Sequence, residues 1–196
     1  MKIGVLGGGN VGGKLANLAR DAGHDVVVGG RSGTVSFQDA ASHGEIVILA
    51  VHYQVAGDVL RPLSGLLSDK ILVDATNPLN EDWSPLLLGE ETSAAEEIAK
   101  ISGGAKVVKA FNTIFADVMN PSGQDRAGKK ITGFVAGDDA EAVSLVADLT
   151  NSMGFAAVQV EKLSAARYLE AMAHLNIQLA VGQGGGTNAA FVYHRG

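Results

Sequence analysis

Three glycines carry the first chemical signal. Gly7, Gly9 and Gly12 stand at the spacing G-x-G-x-x-G. Before them lies an apolar run of strand length, Lys2 to Leu6. After them comes a segment with Val11, Leu15, Leu18, Ala19 and Ala22 on one helical face, and Gly23 is placed to end it. The glycines serve three different ends: a tight turn, a close approach of backbone to a pyrophosphate, and close helix–strand contact. The helix start offers free backbone N–H groups and the positive end of a dipole to phosphate. A Gly-rich turn that binds nothing is the competing reading; the strand before and the helix after argue against it.

A second signal ends the next strand, Asp25 to Val28, which runs into Gly29-Gly30-Arg31-Ser32. An acid there would hold ribose hydroxyls and repel a 2′-phosphate, whereas an arginine holds that phosphate by charge-assisted bonds. Gly30, Arg31 and Ser32 therefore point to NADP(H) rather than NAD. The plainer alternative is a solvated arginine in a Gly/Ser turn.

His52 and Tyr53 follow the apolar run Glu45 to Val51, at a strand's carboxyl end. Either could protonate a developing alkoxide, as a carbonyl or imine reductase needs. The preferred reading of His52 is a strand-end residue that shields a dinucleotide. Hydride transfer between two ring cofactors needs no such acid, only positioning and exclusion of water. A third possibility is a non-catalytic NADP(H) redox sensor. Lys109, in the strand expected at 106–110, reads as a strand end pointing to solvent. His174, on the last helix, reads as an ordinary surface or core histidine.

These residues need elements to position them. Strands are expected at 2–6, 25–28, 45–51, 70–74, 106–110, 131–136 and 156–160. Between them come a helical turn at 37–42, helices at 53–61 and from Ser93 to about Ile101, and one from Asp138 to about Met153; the longest, capped by Ser164, follows to about Val181. Asn80 to Thr92 reads as a flap and Asn120 to Lys130 as a loop. The alternation predicts an α/β fold: a Rossmann-type, doubly wound, mainly parallel sheet with a C-terminal helical extension. Residues 1–161 form the NADP-binding part and 162–196 a helix and tail, within one structural domain. In such sheets ligands lie beyond the strands' carboxyl ends. That rule gathers Gly7 to Gly12, Gly30 to Ser32, Val51 to Tyr53 and Asn77-Pro78 in one crevice, with Phe111 to Ile114 beside them.

Composition narrows the partners. Of 196 residues, 46% are hydrophobic and 18% charged, enough for a sizeable core. A net charge of −6 disfavours nucleic acid and anionic membrane. With no cysteine there is no disulfide, thiolate catalysis or Cys-based metal site. No apolar stretch has the length of a membrane span, and the N-terminus does not read as a secretory signal, so a cytoplasmic protein is expected.

Eight segments together resemble a known family: GVLGGGNVGG, VVVGGRS, EIVILAV, ILVDATNPL, SAAEEIA, VVKAFNTI, FVAGDD and LSAARYLEAMAHL. The chain resembles, nearly end to end, the coenzyme F420-dependent NADP oxidoreductases, and is similar to the reductase domain of the STEAP metalloreductases. The resemblance implies hydride transfer between NADPH and a deazaflavin or flavin ring: F420, FMN or FAD. It places the phosphate loop on Gly8, Gly9, Asn10 and Val11, and the 2′-phosphate pair on Gly30 and Arg31. The family's serine is absent at Gly30, and Ser32 stands close by. Ribose and nicotinamide contacts fall on Val51, His52 and Tyr53, where His52 replaces a frequent proline. Asn77, Pro78 and Leu79 line the next stretch. Phe111, Asn112, Thr113, Ile114 and Ala116 form the acceptor's wall, which adds Asn112 to His52 and Tyr53 as a catalytic candidate. The connection after Arg31 is short beside its relatives, which trims the adenosine side. The resemblance also implies a homodimer in which the last helix, with Leu169, Met172, Ala173 and Leu179, completes the acceptor pocket.

Overall fold

The first apolar run is the sheet's hub. In the computed structural model, which describes residues 1–88 and 91–195, β1 (Lys2–Leu6) turns into α1 (Asn10–Asp21) and then β2 (Asp25–Gly29), α2 (Phe37–His43) and β3 (Ile46–Leu49). Next come α3 (Tyr53–Leu60), a 3-10 turn started by Pro62, the short α4 (Ser64–Leu67) and β4 (Ile71–Asp74). After them follow α5 (Ala94–Ile101), β5 (Lys106–Ala110), the short α6 (Pro121–Gln124), and a small hairpin of β6 (Asp125–Arg126) and β7 (Lys129–Lys130). The chain closes with β8 (Thr132–Gly137), α7 (Ala140–Ser152), β9 (Ala156–Glu161) and α8 (Ala166–Ile177).

The seven-stranded sheet has the order β2-β1-β3-β4-β5-β8-β9. The first five strands are parallel, β8 is antiparallel to β5, and β9 is parallel to β8. The doubly wound, mainly parallel expectation holds. Chain direction reverses at β8 because no crossover helix separates it from β5. A parallel return needs about a dozen residues of crossover, usually helical. Residues 111–131 hold only a 3-10 turn, α6 and the small hairpin, so the chain re-enters the sheet at the edge where it left. Here the reading of Asn120 to Lys130 as plain loop is corrected.

Two layers cover the sheet. Ile3, Val5, Ile46, Ile48, Val73 and Val108 pack against α1 and α7. Leu6, Val47, Leu49, Leu72 and Val107 pack against α2, α3, α4, α5 and the start of α8. The alternation along each strand sends neighbours to opposite layers. Gly4 lets α2 lie on β1: a Cβ there would overlap the Ala40 carbonyl.

Helix ends explain several boundaries. α2 is a full helix, longer than the turn expected, because Ser36 and Asp39 form a reciprocal capping box. Its carboxyl end is held by Lys70, whose Nζ donates to the carbonyls of Ala41 (2.6 Å) and Gly44 (2.7 Å). Asp139, not Asp138, caps α7; Asp138 accepts from the Leu163 N–H instead. Ser164 caps nothing, because residues 163–165 form a 3-10 turn before α8, which ends at Ile177 in a π-turn over Gln178–Gly182. Ser93 caps α5 as expected, accepting from Glu96 N–H and donating to Glu96 Oε2. Ser93→Ala is expected to cost about 1 kcal/mol in denaturant unfolding; no measurable loss would mean water replaces the cap. The flap expected over 80–92 is tied down at its start by the Leu79–Pro85 bridge and by Asn80 bonds to Ser84. Gly89 and Glu90, within that stretch, lie outside the described residues.

Candidate functional site

The β1–α1 turn has the local geometry of a phosphate cradle. Gly7 takes φ +114°, and a Cβ there would overlap the Ala50 carbonyl at the end of β3. A Cβ at Gly12 would overlap the Gly7 carbonyl, so glycine alone lets the first turn of α1 lie on the loop. Above Gly9 the space is open: none of the described residues lies within 4 Å of the position a Cβ would take. Gly9 is the N-cap of α1; no side chain caps that end, and its first turn holds no acid. The N–H groups that an α-helix leaves unpaired at its start therefore face an open, exposed loop. This fits the pyrophosphate of a dinucleotide.

Arg31 and Ser32 stand beside this cradle, because β2 is β1's neighbour. Both are exposed, in a loop closed by the Gly30 N–H donating to Val35 O (3.1 Å). On the other side of β1, Val51 is half-buried after β3, and His52 is the exposed N-cap of α3. The Tyr53 ring lies on the α5 side, lining a groove with Gln54, Arg61, Glu97 and Ile98. Burial, and then the Glu97, Glu170 and Asp74 carboxylates, push its phenol above the ordinary value.

Further along the edge, the loops after β4 and β5 are stitched together. Asn77 Nδ2 donates to Asn112 O (2.8 Å), and Asn112 Nδ2 donates to Asn77 Oδ1 (2.9 Å) and Leu169 O (3.0 Å). Asn112 is buried, so it serves as a lock between loops rather than a group open to a substrate. Phe111, Thr113 and Ile114 are buried too, and the Phe111 ring packs on Phe155 with centroids 6.1 Å apart. Of the five residues of the expected acceptor wall, Ala116 is the one left half-exposed. Phe111 holds φ +66°, a conformation that L side chains rarely adopt and that needs surrounding structure to hold it.

Beneath these loops lies a feature that the strand pattern alone did not disclose. Lys109 does not point to solvent; its side chain is 0% exposed. It shares a face with Val107, and α5 and α8 cover that face. Nζ donates to Asp74 Oδ2 (2.8 Å), Thr76 O (2.6 Å) and Glu170 Oε1 (2.9 Å). Asp74 is opposite Lys109 in the β4–β5 register, and its Oδ1 accepts from the Thr76 N–H. Glu170, on α8, accepts from Ala94 N–H (2.9 Å) and Ala95 N–H (3.2 Å) at the start of α5. Burial alone would lower the Lys109 pKa, but the two carboxylates outweigh it and hold it above the usual lysine value.

α8 also reaches the site through His174, whose Nε2 lies 3.2 Å from Pro78 O, and Asn176, whose Nδ2 donates to Thr113 O (3.5 Å). Beside His174 an open groove of about 500 Å³ runs between the 82–85 segment and α8, lined by Trp83, Pro85, Leu175, Gln178 and Val181. Burial holds His174 below the usual histidine value. The unfolded chain therefore binds this proton more readily, and acidification through the window below about pH 6.5 costs stability. Urea midpoints compared at about pH 7.5 and 5 should fall less in His174→Gln than in the parent. Equal falls would place the acid sensitivity elsewhere.

Residues 32–78 match the family model described as NADP oxidoreductase, coenzyme F420-dependent. The chain is 32% identical to the metalloreductase STEAP3 of Rattus norvegicus over 87% of its own length, and spans about a third (36%) of that protein. It is 31% identical to an F420-dependent NADP reductase of Methanocaldococcus jannaschii, covering 74% of this chain and 66% of that one. The crystal structure of a candidate F420-dependent NADP-reductase from Arthrobacter sp. FB24 superposes with a TM-score of 0.88, at 31% identity and with both chains fully covered.

Proposed function

The chain belongs to the family of coenzyme F420-dependent NADP oxidoreductases, and from that premise we propose that it moves hydride between NADP(H) and a flavin or deazaflavin ring at the carboxyl edge of its sheet. The observation that carries this reading is the uncapped start of α1 over the open Gly7–Gly9 turn, with Arg31 at the adjoining strand end. When bound, NADPH supplies the hydride. The backbone N–H groups of the first turn of α1 hold the pyrophosphate, and Arg31 with Ser32 holds the 2′-phosphate. Val51 and His52 flank the ribose and nicotinamide, and the linked Asn77–Asn112 loops form the floor. The open groove along α8 has the size and apolar lining suited to a flat ring. The protein need only orient two rings and keep water out, which asks for no acid or base.

NADPH oxidation with F420, FMN or FAD tests this reading, and no turnover with any of them would end it. Arg31→Ala should weaken NADPH binding by about 1–3 kcal/mol, roughly 5- to 150-fold, and leave NADH nearly unchanged. Equal weakening of both would remove the 2′-phosphate assignment. The exposed His52 supports a second reading, a carbonyl or imine reductase with His52 or Tyr53 as acid. That reading fails if His52→Ala and Tyr53→Phe keep full rates with such substrates.

The reading extends to a homodimer. Of the residues expected at this contact, Leu169 and Ala173 are buried within the chain, Met172 is half-buried and Leu179 is exposed; Tyr168, Leu175 and Val181 are also exposed along α8 and the turn after it, and exposed Trp83 lines the groove with Leu175 and Val181. A second copy laid on this stripe would close the groove. Light scattering should give twice the chain mass, falling to one chain in Leu175→Glu/Leu179→Glu; a monomeric parent contradicts it.

A further inference from the structure

The buried Lys109 network belongs to no step of the proposed hydride transfer, yet it joins every element that frames the floor of the cleft. Lys109 lies on β5, Asp74 ends β4, Thr76 starts the loop that carries Asn77 and Pro78, and Glu170 projects from α8. Every N–H of the ammonium group has an oxygen partner, and Glu170 also fastens α8 to the first turn of α5. Two residues past Lys109 is Phe111, held in its left-handed conformation, and the next residue is Asn112, which donates to both Asn77 and the α8 carbonyl of Leu169.

A buried ion cluster is a poor source of stability, because desolvation offsets most of its attraction, and apolar residues of similar volume often serve as well. What charge offers here is direction. Three donors on one nitrogen fix three acceptors, two where β4 runs into its loop and one on α8, a constraint that apolar packing does not impose. We propose that Lys109 is a positioning residue: through Asp74, Thr76 and Glu170 it sets the placement of α8 and of the Asn77 and Asn112 loops, and so the alignment of the two rings in the cleft. The proposal rests on the hydride-transfer reading for its kinetic consequence, but not for its structural one.

The test uses the full chain and two readouts. Amide hydrogen exchange reports the placement of residues 75–77, 111–114 and 166–177 whether or not any acceptor is reduced. Single-turnover oxidation of saturating NADPH by FMN or F420, with NADPH affinity measured by calorimetry, reports alignment. The neutral variant Lys109→Met/Asp74→Asn/Glu170→Gln avoids stranding a buried charge. It should bind NADPH within about twofold of the parent, exchange faster in all three segments together, and transfer hydride about ten- to a hundredfold more slowly. Glu170→Gln alone keeps the Lys109–Asp74 pair; it should loosen 166–177 and the Ala94 and Ala95 amides and slow the same step, and it decides the matter if the neutral variant does not fold. Lys106→Met, which removes a half-exposed lysine of the same strand paired with Asp139, is the control and should change neither readout. Unchanged exchange in the folded variants overturns the structural claim. Faster exchange with an unchanged hydride rate overturns the alignment claim. A parent that reduces no acceptor defeats the hydride-transfer reading, and the exchange result then still decides whether Lys109 places α8.

Discussion

Gly12→Ala is expected to abolish NADPH binding at concentrations that saturate the parent, and to destabilise the fold. Its Cβ would overlap the Gly7 carbonyl and touch Ala50 Cβ at 3.0 Å, and both belong to fixed structure. Neither can yield as the end of a flexible side chain would, so α1 must lift from the turn. Overpacking of this kind costs about 1–3 kcal/mol, occasionally more. Lifting α1 would also turn its first N–H groups away from the place proposed for the pyrophosphate, so the binding loss should exceed the stability loss. Gly9→Ala is the informative partner. Gly9 has φ −71° and open space around it, so its replacement should leave the melting temperature unchanged. The added methyl occupies the space above the loop where the pyrophosphate would approach, so NADPH affinity should fall. A Gly9→Ala protein with full affinity would show that phosphate does not lie over this loop.

The second large effect is on stability. Lys109→Ala leaves Asp74 and Glu170 buried without their cation, and breaking such a cluster from one side costs about 3–5 kcal/mol. Urea unfolding should show that loss, and the neutral triple variant should recover most of it. The sign of the pH dependence follows from the raised lysine pKa. Its contribution is complete below the unfolded lysine value and disappears as pH rises through the higher folded value. The parent should therefore lose stability on the alkaline side of the usual lysine range, and the triple variant should lose less there. Identical alkaline curves would mean that the network does not carry the charge distribution described.

The parts of this architecture that follow local rules could be read from the sequence. A five-residue apolar strand, G-x-G-x-x-G and an amphipathic helix define the β1–α1 cradle without outside help, and β5 appears at its expected ends, Lys106 and Ala110. What escaped depended on partners distant in the chain. Lys109 looked like an exposed strand end because its partners lie 35 residues before it, at Asp74, and far beyond it on α8, at Glu170. Strand alternation held a clue: Lys109 shares a face with Val107, and Asp74 with Leu72, and that one face of the sheet had to be buried if the sheet was covered on both sides. Asn112 likewise has partners distant in the chain. A polar residue at a strand's carboxyl end suggests a ligand contact, and nothing local in the sequence shows that its amide N–H groups reach Asn77 and Leu169. The reversal of β8 was also legible in principle, since no long apolar helix pattern stands between Ala110 and Ile131.

The reaction proposed for this chain passes hydride from the reactive face of NADPH to a flat acceptor ring. The most direct measurement is a single turnover of NADPH carrying deuterium at the reactive nicotinamide position, with F420 as acceptor and mass analysis of the product. The deuterium is expected to arrive on the deazaflavin ring, at a rate that falls sharply in Gly12→Ala. Labelled NADPH that binds in the cleft while F420 stays unlabelled, with FMN and FAD likewise unreduced, would contradict it.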